Sequence, residues 1–161
     1  PRHRSNSCLL FSVIPLANSD KSRQSKRVEA YGFIDIHTHG IGGYDTRDAT
    51  PETILKIAGI HGSHGVSAVL PTIFAGPIAA MRADMAAVKQ AMEKQALELK
   101  HSKLAKSPVA RVLGAHLEGP FLNPVRQGTL DGASFLEPTA RHLRELVDGF
   151  EDIVMIITIA P

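Results

Sequence analysis

Cysteine is nearly absent. Cys8 is the single one among 161 residues. That excludes an internal disulfide and any cysteine cluster for zinc, and it fits a reducing compartment such as the cytoplasm. Charge of one sign is also scarce. The formal net charge is +2, too small to argue for nucleic acid as a partner. The one basic run, Lys21, Arg23, Lys26 and Arg27 with Ser22 and Ser25, reads as a solvated loop rather than a phosphate-binding patch. No apolar run approaches the roughly 20 residues of a membrane span. No G-x-G-x-x-G follows the first apolar strand, which argues against a dinucleotide fold. What remains is 43% hydrophobic and 21% charged, the balance of a globular chain with enough material for one core.

The chain is organised around Phe33-Ile34-Asp35-Ile36-His37-Thr38-His39-Gly40. Phe33, Ile34 and Ile36 are the apolar residues expected of a buried parallel strand. Residues two apart on a strand share a face. His37 and His39 are therefore expected side by side, on the face that also carries Asp35. Gly40, Gly42 and Gly43 follow and permit a sharp turn. Two imidazoles at the end of a strand, under a glycine-rich loop, suit a divalent metal. An H-x-H pair alone is a weak signal, so the rest of the chain must carry the argument.

Residues 1–30 lack periodicity. Arg2 and Arg4 precede an apolar run from Cys8 to Ala17 that loosely imitates a signal peptide. A leader or the remnant of a small β domain is the preferred reading. Domain assignment is thus 1–30 for that segment and 31–161 for the main body. Thr50 as N-cap and Pro51 at the first helical position open a helix, whose apolar face is Ile54, Leu55, Ile57 and Ala58. A strand is predicted over 66–74, a long helix from Gly76-Pro77 to about Leu99, and a polar linker over 101–107. A third strand follows over 109–117, a long loop over 118–136, a helix begun by Pro138, and a last strand over 153–160. Short apolar strands alternating with helices make a parallel α/β sheet. Either a doubly wound sheet or half of an eight-stranded β/α barrel accommodates it.

The strongest local signal is His116-Leu117-Glu118-Gly119-Pro120-Phe121-Leu122-Asn123. Glu118 is expected at a strand end on the same sheet edge as the histidines, where its carboxylate completes a metal site with His37 and His39 or bridges two metals. His116 reads as a structural histidine beside the site rather than a ligand. Asp35 either orients a ligating imidazole by accepting its second N–H or joins a buried polar layer. His61 and His64, at a helix end, are expected on the surface. His3, His101 and His142 carry no argued role.

The segments Phe33–Gly40, Gly114–Asn123 and Thr158–Pro161 resemble the N-acetylglucosamine-6-phosphate deacetylase family of the amidohydrolase superfamily. The resemblance spans residues 31–161. It implies the front half, about four βα units, of a metal-dependent (β/α)8 TIM-like barrel with a small β-sandwich. It implies hydrolysis of a linear amide, the acetyl group of an amino-sugar phosphate, with one or two divalent ions, zinc or iron. Glu118 would be the main ligand and His37 and His39 would hold a second metal. A family K-G-A/T-H segment aligns with Gln127-Gly128-Thr129-Leu130. Gly128 and Thr129 are thereby candidates for substrate contact through their backbone. Leu130 stands in place of the family's substrate-contacting His, which leaves another N-acyl sugar or an N-acyl amino acid open as substrate. The family's catalytic Asp and two further His ligands would lie beyond Pro161, so the chain alone is expected to be inactive and the complete enzyme a homo-oligomer. The competing reading is a non-catalytic half-barrel that acts by self-association.

Overall fold

A computed structural model describes residues 32–101 and 109–160. The segment 1–30, read as a leader or a domain remnant, and residues 102–107 of the expected linker lie outside the described residues. Four long strands form one parallel sheet: β1 (Phe33–Thr38), β4 (Val66–Phe74), β6 (Ala115–Leu122) and β7 (Val154–Ala160). Their order across the sheet is their order along the chain. A doubly wound sheet reverses its strand order at a switch point; this one does not. It is a curled half-barrel sheet. Two short strands, β2 (Gly40–Ile41) and β3 (Tyr44–Asp45), make a small hairpin after β1. Its turn uses Gly42 and Gly43 at φ 63° and 85°, values that favour glycine.

Helix α1 (Pro51–Ser63) is capped by Thr50, whose hydroxyl accepts the Thr53 N–H at 3.2 Å. Helix α2 (Ile78–His101) packs on α1 and the sheet, and α3 (Ala140–Val147) packs on α2. The core lies between these helices and the outer sheet face. Ile54, Ile57, Val69, Ile73, Met81, Met85, Val88, Leu117 and Leu146 are its large, fully buried members. Gln95 joins α2 to the sheet from within. Its amide donates to the Ala110 carbonyl at 2.9 Å and accepts the Val112 N–H at 3.0 Å.

Several expectations need correction. Phe33, Ile34 and Ile36 are 78, 49 and 53% exposed, not buried. β1 is an edge strand, and among the described residues no strand pairs with its outer side. The predicted strand 109–117 is two pieces, β5 (Arg111–Val112) and β6. The break falls at Gly114, where a Cβ would collide with the Ile153 carbonyl oxygen. β6 then runs through Gly119-Pro120 to Leu122, so Glu118 lies inside a strand rather than at its end. Its position relative to its neighbours is still terminal, because it pairs with Phe74, the last residue of β4. Thr139, not Pro138, caps α3. His61 is 7% exposed, not on the surface.

Candidate metal centre

β1 pairs Asp35 with Val69 and Thr38 with Pro71. Three steps along β1 thus match two along β4, the mark of a β-bulge. Val69 and Pro71 share a face, so Asp35 and Thr38 share one too. That is the face covered by α1. The regular alternation that would put Asp35 beside His37 and His39 is broken between them. His39 instead emerges on the inner face, stacked on Phe74 with ring centroids 3.7 Å apart. The Arg47 guanidinium sits 4.3 Å from the same Phe74 ring.

The two histidines converge. His37 Nε2 and His39 Nε2 lie 3.2 Å apart. Glu118 brings Oε1 to 3.4 Å from the first and Oε2 to 3.0 Å from the second. Donor atoms of all three residues fall within 4.8 Å of one another. Ligands about 2.0–2.2 Å from a tetrahedral ion would stand about 3.3–3.6 Å apart, close to the spacings found. Imidazole nitrogen with carboxylate oxygen is a donor set suited to zinc or iron. So close an approach of two ring nitrogens is satisfied either by an N–H of one ring on the lone pair of the other or by an ion between them. The residues fit a divalent metal.

His116 stands next to this group but faces elsewhere. Its Nδ1 donates to the Ile36 carbonyl at 2.9 Å, which leaves Nε2 to accept from the Thr158 hydroxyl at 2.8 Å. Both nitrogens are occupied, so it is no ligand in this arrangement. Its ring edge rests against His37, centroids 4.8 Å apart. β1 and β6 are not neighbours; β4 lies between them. The His116–Ile36 bond therefore spans the concave side of the curl. Desolvation holds the His116 pKa below the usual imidazole value, against the Ile36 carbonyl, which favours the proton.

Asp35 makes its contacts away from the imidazoles that face Glu118. Its Oδ1 accepts the His37 backbone N–H at 3.0 Å, and its Oδ2 lies 3.7 Å from His61 Nδ1. Gly128 and Thr129 are exposed on the loop after β6, and no hydrogen bond among the described residues joins them to the triad. Sequence reasoning passed over Thr38, Thr72 and His61. Thr72 is fully buried, and its Oγ1 accepts the Thr38 N–H at 3.0 Å. A threonine in an apolar run is the signal that could have marked it.

An N-acetylgalactosamine-6-phosphate deacetylase of Escherichia coli O157:H7 is 28% identical over 129 residues, which cover 80% of this chain and 31% of the relative. The chain is similar to amino-sugar-phosphate deacetylases. The N-acetylglucosamine-6-phosphate deacetylase of Bos taurus is 31% identical over 152 residues, 82% of this chain and 31% of its own length. Among solved structures, the N-acetyl-D-glucosamine-6-phosphate deacetylase of Mycobacterium smegmatis superposes with a TM-score of 0.62 at 25% identity, over 81% of this chain and 33% of that one. The half-barrel sheet is thus that of deacetylase structures. The chain spans about a third of the length of the curated relatives it matches. It matches no protein-family model. Among the described residues no helix is long and apolar enough to cross a membrane.

Proposed function

We propose that this chain carries the metal-binding front of a hydrolase that removes acetate from an N-acetylated amino-sugar phosphate. The carrying observation is the convergence of His37, His39 and Glu118 on one point beside the ends of β1 and β4. The relatives' deacetylase names support the reaction class. In this reading the sheet belongs to a metal-dependent (β/α)8 barrel. His37 and His39 offer Nε2 to the ion, zinc or iron, and Glu118 offers its carboxylate. A divalent ion held there supplies Lewis acidity toward the acetyl carbonyl and lowers the pKa of water. His116 holds the Ile36 carbonyl and so fixes the strand that carries the imidazoles. Gly128 and Thr129 present backbone groups to the sugar phosphate. Among the described residues none is assigned the role of general acid or base, and no turnover is expected from this chain alone.

The test is Glu118→Ala in the active protein, assayed for bound metal and for acetate release from N-acetylglucosamine 6-phosphate. Loss of both is expected. Unchanged metal content and turnover would remove Glu118 from the site; no acetate release by the unsubstituted protein would remove the hydrolase reading.

A further inference from the structure

His61 is a buried histidine that metal binding itself leaves unused. It sits on α1, near the helix end, on the covered face of β1. Its Nε2 lies 3.2 Å from Thr38 Oγ1 and its Nδ1 lies 3.7 Å from Asp35 Oδ2. Those two residues flank the bulge. One is two positions before His37; the other lies between His37 and His39. With the ring proton on Nδ1, toward Asp35, Nε2 is free to accept from the Thr38 hydroxyl. Each of the two is in turn tied to the backbone around the ligands. Asp35 takes the His37 N–H at 3.0 Å, and Thr38 Oγ1 accepts the Gly40 N–H at 3.3 Å. Thr38 N–H is fixed from the β4 side by Thr72.

We infer that His61 is a positioning residue of the metal centre: it holds Thr38 at one end of the β1 bulge, stands beside Asp35 at the other, and so aims His37 and His39 at Glu118. Bulges re-aim side chains beside active sites, and among the described residues β1 is paired on one side only. A side chain from the helix supplies that hold. His61 touches neither metal nor substrate, so its effect passes through ligand geometry. The inference rests on the metal reading above.

The experiment is titration with Co2+ alone, followed by its visible absorption band, on the full chain and on His61→Ala, His61→Gln and His39→Ala, each with a melting curve. His61→Ala is expected to weaken Co2+ binding about 10–100-fold and to alter the band. His61→Gln, which retains a donor and an acceptor, is expected to recover part of the affinity. A His61→Ala protein that melts lower yet binds Co2+ with the original affinity and band would reduce His61 to ordinary packing and overturn the inference. If His61→Ala does not fold, Thr38→Val carries the same test with Thr38→Ser as the rescue. His39→Ala separates the two layers of the argument. Binding undiminished in that variant would overturn the metal reading itself, and this inference with it.

Discussion

The two strands that build the candidate metal centre live in opposite surroundings. β6 is central. Ala115 and Leu117 are fully buried in it, and Phe121 is 4% exposed. β1 is an edge, with Phe33, Ile34 and Ile36 half exposed or more. Glu118 therefore rides on a strand fixed by core packing and by two sheet neighbours. His37 and His39 ride on a strand fixed by polar contacts: Thr72 to the Thr38 N–H, His116 to the Ile36 carbonyl, His61 to Thr38. Apolar packing is non-directional, whereas hydrogen bonds specify angles. A ligand pair that must meet a carboxylate two strands away benefits from the second kind of support.

The largest effect should come from cutting the packed side. Leu117→Ala is expected to cost about 2–5 kcal/mol of folding stability, while Ile36→Thr on the edge should change it by less than about 0.5 kcal/mol. Denaturant unfolding of both reads the difference, and equal losses would erase the contrast between the strands. Thr72→Val comes next. It keeps the shape of a fully buried residue but leaves the Thr38 N–H without its acceptor, for an expected loss of about 1–3 kcal/mol. A value near zero would mean that the β1 end is held by other means.

The smallest effect concerns the loop that leaves β1. Asp84 on α2 faces Asp48 and Asp45, and desolvation together with these carboxylates raises its pKa from the ordinary 3.8 to about 6. The folded protein thus favours the protonated form. The resulting stabilisation is complete below about pH 4 and fades as pH rises through about 6. Asp84→Asn should therefore raise the melting temperature more at pH 8 than at pH 4.5. An offset from wild type that is the same at both values would show that Asp84 titrates normally.

Much of this was legible in the chain itself. Thr50-Pro51 announced α1, the apolar runs located β4 and β7, and His37 and His39 were marked out by spacing, with Glu118 by its place beside Gly119-Pro120, though not by the strand end expected there. The failures share a cause. An apolar run reads the same in an edge strand as in a central one, so Phe33, Ile34 and Ile36 looked buried. A bulge has no residue signature, so Asp35 was put on the wrong face and His61 was left on the surface. Gly119-Pro120 looked like the end of a strand because glycine and proline usually are; here they lie within β6, in a stretch where its register against β7 shifts.

The bond from His116 to the Ile36 carbonyl joins residues eighty positions apart. Contacts of that span form late, since the intervening loop must be closed before they return any energy. During synthesis the imidazole pair leaves the ribosome several seconds before its carboxylate partner, at ordinary elongation rates. Through that interval the nascent chain offers a metal ion two histidines and no cage. In the metal reading proposed above, the order of appearance along the chain delays tight capture of an ion until the half-barrel sheet has curled.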